Sequence, residues 1–293
     1  MKSQPIVFGR LIFKSLLFAV AVASLSIAVT AQEKLKTEDI IAKHLESIGE
    51  AETRASITRR IVAGTVTHSV ARSGGQSVQG RAVLASDGIK HLVGMQFDGS
   101  PNYPLDRLSY DGQNVMAAFI RPGVYSTLGS FLKGNEESIK YGLLGGALST
   151  SWPLTDPNSR NIKISGSGKK KIDGKECYEI DILPKKGSSM TIKAYFDAET
   201  FHHVRTVYEL VISAQMGANS DPNASARQRE SRYRMTEDFS DFKKESGLVL
   251  PHAYKLYLSL DGKTGGTNEL EWNFVFSTFQ FNQKIDPKSF VVE

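Results

Sequence analysis

The sequence predicts a mainly β protein of about ten to twelve long antiparallel strands with a few short helices. Two observations carry that reading. From Thr58 onward apolar residues recur at every second position, the period of a half-buried strand, and Asp-Gly pairs at 87–88, 111–112 and 173–174 punctuate the runs as hairpin turns. Against this, only about two short stretches carry a helical period. An apolar sheet face this large has to be covered. Two sheets can bury one another as a sandwich, or one strongly curved sheet can wrap around the helices and enclose an apolar interior; composition leaves both open.

The chain has 293 residues. Lys2, Arg10 and Lys14 precede the apolar run Ser15–Val29, and Val29-Thr30-Ala31 offers small residues for cleavage, so 1–31 is expected to be a signal peptide and 32–293 a single domain. That segment carries three bases and no acid, which takes the formal net charge from +5 to +2. A charge of that size gives no reason to expect nucleic acid, and none is expected as a partner. The expected location is the periplasm or the exterior, after cleavage near Ala31. The single cysteine, Cys177, excludes a disulfide within the chain and reads as a half-buried strand residue.

Thr37–Gly49 reads as a helix, with Thr37 as its cap, Gly49 as its stop and Ile41, Leu45 and Ile48 as its apolar stripe. Ala51–Ser56 adds a helical turn. Val62, Gly64, Val66 and Val70 then share one strand face. Arg72–Gly75 turns the chain, Ser77–Ser86 returns, and Ile89, His91, Val93, Met95 and Phe97 line the next strand. Leu105–Tyr110 and Gln113–Ile120 form another hairpin. Residues 121–157 interrupt the strands with short helices and glycine joints, a helix start at Asn135 and apolar anchors at Leu128, Phe131, Leu143, Leu144 and Trp152. This helical insertion can be a cap packed on the sheet or a lid that moves.

Strands resume at Ile162–Lys171 and Lys175–Leu183. Met190–Ile212 is a hairpin about Asp197–Thr200, with Val204, Thr206, Tyr208, Leu210 and Ile212 on its apolar face and His203 on the polar one. Met216–Gln228 reads as a loop. Glu230–Phe242 is a strand; Tyr254 and Leu256, then Trp272 and Phe274, mark the apolar faces of the last two. Phe279 and Phe281 fall on the opposite parity, which calls for a bulge or a change of side. Asp286–Phe290 reads as a terminal dock.

The search for chemistry finds no HExxH, CxxC or GxSxG. His202 and His203 are adjacent on a strand and so face opposite ways, which excludes them as a paired ligand set. Lys169–Lys171 with Lys175, and Arg227, Arg229, Arg232 and Arg234, read as solvated faces, with contact to anionic headgroups as the sharper alternative. No catalytic residue, metal site or cofactor is expected. The candidate binding surface is apolar: Val93, Met95, Phe97, Ile180, Tyr208, Leu210, Tyr254, Leu256, Trp272 and Phe274 as an interior, with Leu128, Phe131, Leu143, Leu144 and Trp152 as a lid over it.

The helix IIAKHLESIGEAE leading into TRRIVAGTVT, the phrases YFDAETFHHVRTVYE and EDFSDFKKESGLVLPHAYKL, and the closing IDPKSFVV resemble, in their order, the LolA/LolB-like periplasmic lipoprotein carriers and their wider superfamily. That resemblance implies an incomplete, strongly curved antiparallel β-barrel closed by helices, whose apolar inside holds acyl chains. The implied protein is a non-catalytic, monomeric carrier or chaperone with a lipid or acylated protein as partner and contact with the inner or outer membrane surface. The alternative is an envelope interaction or scaffold module of the same fold with a filled core. An outer-membrane barrel and an enzyme are the remaining readings.

Overall fold

Alternation about short turns builds one antiparallel meander. The computed structural model describes residues 35–70, 77–184, 189–212, 231–261 and 266–292. The expected signal segment lies outside these residues, as do the turn at Arg72–Gly75 and the loop Met216–Gln228. Residues from Leu35 onward form one unit. Two helices, α1 (Thr37–Ile48) and α2 (Ala51–Ser56), precede β1 (Arg59–Val70), β2 (Ser77–Asp87), β3 (Lys90–Gln96), β4 (Leu105–Tyr110) and β5 (Val115–Ala117). Next come a small hairpin of β6 (Phe119–Arg121) and β7 (Val124–Tyr125), helices α3 (Thr127–Gly134) and α4 (Glu137–Lys140), and 3-10 turns at Gly146–Leu148 and Pro153–Thr155. The second run holds β8 (Ile162–Ile172), β9 (Lys175–Pro184), β10 (Met190–Asp197), β11 (His203–Ile212), β12 (Ser231–Glu245), β13 (Leu248–Asp261) and β14 (Thr267–Phe281).

The twelve strands of the main sheet lie in the order β5-β4-β3-β2-β1-β14-β13-β12-β11-β10-β9-β8. Every neighbour is antiparallel, and the first and last strands of the chain, β1 and β14, join the two meanders. The sheet does not close, and β5 and β8 are its edges. The fold is thus the incomplete antiparallel barrel with a few short helices. Because β5 and β8 follow one another along the chain among the strands of the main sheet, the connection between them, residues 118–161, must travel from one open edge to the other. It does so across the concave face.

One face of the sheet is apolar and the other ionic. Facing outward, Lys193 pairs with Glu179 at 2.7 Å and Asp181 at 3.0 Å, Lys255 with Glu271 at 2.6 Å and Arg234 with Glu209 at 3.3 Å; Arg205 holds Asp238 as well. Strands β2 and β3 are covered on both sides, because Ile285, Phe290 and Val292 of the C-terminal tail pack against Ala85 and Leu92.

Two bulges reset which side chains reach the inner face. Ala63 pairs with Thr278 but Gly64 pairs with Phe276, so Ser277 is the extra residue. Phe279 and Phe281 are thereby returned to the side of Phe274 and Phe276, opposite Val62 and Arg60. Gly64 is required there, since a Cβ would sit 2.0 Å from the Val275 carbonyl oxygen. In the second bulge Tyr195 pairs with Arg205 and Phe196 with His203, leaving Val204 as the extra residue.

Several local expectations are corrected. Lys36, not Thr37, is the cap of α1 and makes no side-chain capping bond. The buried face of that helix is Ile40, His44 and Ile48, with Ile41 and Leu45 on its flank, because His44 finds buried partners. Ile89 lies in the turn before β3 and is exposed. The strand after Asp111-Gly112 breaks at Ala118 into β5 and β6. Asn135 closes α3 instead of opening α4, whose cap is Glu136.

Candidate functional site

The inner face carries the side chains expected to line an interior. Val93 and Met95 come from β3, Phe97 from just beyond it, Ile180 from β9, Tyr208 and Leu210 from β11, Tyr254 and Leu256 from β13, and Trp272 and Phe274 from β14; all are buried. Leu128, Phe131, Leu143, Leu144 and Trp152 of the 118–161 connection are buried too, in the same continuous core. As seen, the connection occupies the concave face of the sheet.

Polar contacts at three points along the connection help to seat it there, and the first two are made to carboxylates on the apolar parity of their strands. Ser126 caps α3 by accepting the Gly129 N–H at 2.7 Å, and donates at 2.5 Å to the buried carboxylate of Asp106 on β4. Tyr103 donates to the same carboxylate at 2.9 Å while accepting the Trp272 indole N–H at 3.0 Å. Burial pushes Asp106 up to about 6.

In the middle, Glu237 of β12 is wholly buried between Met235 and Phe239 on the inner face. One carboxylate oxygen accepts the Tyr208 hydroxyl at 2.5 Å; the other accepts the Tyr254 hydroxyl at 2.8 Å and the Gly145 N–H at 2.7 Å. The strand register explains the tyrosines. Thr206 and Leu256 stand opposite Glu237, so Tyr208 and Tyr254 are its diagonal neighbours on the same face. Gly145 and Gly146 take φ of +82° and +50°, which brings the backbone down onto the carboxylate; a Cβ on Gly146 would lie 2.8 Å from His203 Nδ1. Desolvation raises Glu237 to about 7, against three hydrogen bonds that favour the charged form.

At the far end Trp152 donates its indole N–H to His44 Nε2 at 3.0 Å and stacks on His203 with ring centroids 4.7 Å apart. His44 Nε2 must therefore be an acceptor, which places its proton on Nδ1, donated to the Phe201 carbonyl at 3.0 Å. Burial lowers His44 to about 3 and holds His203 well below the usual imidazole range, so both rings are neutral.

The histidine geometry differs from the expectation of opposite faces. The bulge at Val204 turns His203 inward, and His202 precedes the strand, so both rings line one void of about 10 Å³ beside His44. Among the described residues no group of three or more His, Cys, Asp or Glu side chains is placed to hold a metal ion. Cys177 is buried, in a small cluster with Tyr195 and Val207. Lys169, Lys170, Lys171 and Lys175 are exposed at the β8–β9 hairpin, where Lys169 meets Glu176 at 3.3 Å. Arg232 and Arg234 are exposed, and Arg227 and Arg229 lie outside the described residues.

Sequence reasoning passed over Glu237, Asp106 and Arg60. A signal was present in each case: Glu237 alternates with Met235 and Phe239, Asp106 with Leu108 and Tyr110, and Arg60 with Val62. A charged residue on an apolar strand parity marks a buried contact.

No family model matches the sequence, and no curated protein matches it. The LolA-like resemblance is found among solved structures. A LolA superfamily protein from Nitrosomonas europaea is 11% identical, covering 88% of this chain and 98% of its own, with a TM-score of 0.46. A putative outer membrane lipoprotein-sorting protein domain from Vibrio parahaemolyticus is 12% identical, covering 87% and 95%, with a TM-score of 0.42. A DUF1329 family protein from Desulfovibrio piger is 12% identical, covering 86% and 96%, with a TM-score of 0.41. All three TM-scores lie below 0.5, so the likeness says nothing of ligand or role.

Proposed function

We propose that this is a non-catalytic envelope protein that holds a lipid or lipoprotein acyl chain against the concave face of its sheet when the 118–161 connection is displaced. The supporting observation is the way that connection is built. It brings apolar side chains to the inner face, bends at glycines with positive φ and is seated by a few discrete polar contacts. An acyl chain entering that face would replace one set of apolar contacts by another, gaining ~0.8 kcal/mol per buried CH₂ before ordering costs. Such a ligand needs an apolar wall more than catalytic groups.

A second reading, a scaffold of the same fold with a permanently filled core, is favoured by the full burial of the connection's anchors. An outer-membrane barrel is disfavoured by the outward face, whose cross-strand ion pairs suit water better than lipid. Among the described residues no helix is long and apolar enough to cross a membrane. The proposed setting is the periplasm or exterior, the proposed partners a lipid or acylated protein and a membrane surface, and the proposed state a monomer. Lipid extraction from the exported protein with mass spectrometry, and displacement of a fluorescent fatty acid, test the carrier reading. Co-purified lipid and displacement support it; an empty extract with no fatty-acid uptake leaves the scaffold.

A further inference from the structure

Among the described residues Arg60 is a buried cation without a counter-ion. It stands on the inner parity of β1, is 6% exposed, and spends one N–H on the Ala147 carbonyl of the connection. Its guanidinium lies over the Phe281 ring at 5.8 Å, the residue opposite it in the sheet. Among the described residues it forms no ion pair, and its Nε has no hydrogen-bond partner. Desolvation alone lowers its pKa, to about 10, so it remains charged at neutral pH. A guanidinium offers five donors in a planar fork, and a buried charge is ordinarily paired.

The surroundings show what would pair with it. Arg60 lines a cleft of about 330 Å³ between the α1–α2 corner and the connection. Leu45, Ile48 and Ile57 supply an apolar wall, Trp152 a second, and Arg54 of α2 adds another guanidinium, whose Nε is likewise buried without a partner. Glu46 lies near enough to Arg54 to influence it, yet the two form no ion pair among the described residues. The cleft falls at the small end of ligand sites, which run from ~300 to ~1,000 Å³. Two cations and an apolar wall in one opening match a molecule with an anionic end and an apolar body.

We infer that this cleft binds a small anionic amphiphile, its carboxylate or phosphate on Arg60 and Arg54 and its alkyl part against Leu45, Ile48 and Trp152. The cleft exists with the connection seated, so the site does not depend on acyl-chain binding to the sheet.

Calorimetric titration of the exported protein with octanoate, octanol and inorganic phosphate tests the inference. Octanoate is expected to bind, with octanol and phosphate each weaker by about tenfold or more, because each lacks one half of the recognition. Arg54→Gln and Ala55→Trp alter the cleft from α2, where Arg54 is half-buried and Ala55 exposed, and should each weaken octanoate by about tenfold, while Arg60→Gln should abolish it. Should Arg60→Gln fail to fold, the two α2 variants still decide. Octanol binding as tightly as octanoate would overturn the anionic half, and phosphate binding as tightly would overturn the apolar half. Failure of octanoate to bind, or binding unchanged in both α2 variants, would overturn the site itself. A fluorescent long-chain fatty acid is measured alongside in the wild type and in both α2 variants: uptake that Arg54→Gln and Ala55→Trp leave unchanged reports on the sheet interior and not on the cleft, so the two readings fail separately.

Discussion

Glu237 concentrates the electrostatic cost of this fold in one side chain. It titrates near 4.5 when free and near 7 in place, raised by burial. Between those values the folded chain binds more protons than the unfolded one, so this group's contribution is complete below about 4.5 and is lost as pH rises through about 7. The loss is on the order of 3 kcal/mol. Glu237→Gln keeps an oxygen for the Gly145 N–H and the Tyr254 hydroxyl and an amide for Tyr208, and removes the titration. Its urea midpoint should therefore change less than the wild type's across about pH 5 to 8; an unchanged slope would place the titration elsewhere. Glu237→Leu strands both hydroxyls and the amide N–H and should cost ~3 kcal/mol or more at any pH. His44 and His203 act with the opposite sign. Their lowered values make stability fall as pH drops below about 6.5, the ordinary imidazole value.

At the scale of the element, the bulges decide which residues reach the interior. Without the extra residue Ser277, Phe279 and Phe281 would face water, and Arg60 would lose the ring beneath it. Gly64→Ala places a methyl carbon against the Val275 carbonyl, where neither strand can yield without breaking the ladder. It should cost ~2 kcal/mol or more in chemical denaturation. A variant as stable as the wild type would show that the sheet can rebuild its register at this point. The bulge at Val204 acts likewise for His203, turning a residue of polar parity into the stacking partner of Trp152.

For the whole molecule, topology explains why one segment fills the concave face. The meander runs without crossover except between β5 and β8, which are the two open edges, so the connecting chain has to bridge the opening. It is seated by polar contacts and short turns, whereas the strands are seated by continuous ladders. Hydrogen exchange should therefore find the amides of residues 127–155 opening at lower free energy than those of β12 and β13. Equal protection in both would favour the filled scaffold over the displaceable segment.

The sequence alone determined the strands and their turns, but not how the sheet is covered. Alternation of period two and Asp-Gly turns are local properties, legible residue by residue, and they prescribe one-sided antiparallel hairpins, the small helices at the start and the tail that docks at the end; a sandwich and a single curved sheet fit them equally. The irregularity at Phe279 was legible as well, since two phenylalanines on the wrong parity demand a correction. The tertiary structure decided what lies inside. Gly145 meets Glu237 across 92 residues and Trp152 meets His44 across 108, and no local pattern announces which donor will find which acceptor. Glu237, Asp106 and Arg60 stand as exceptions on apolar faces; their partners depend on where the connection between the sheet edges comes to rest, and that position is set by the whole sheet at once.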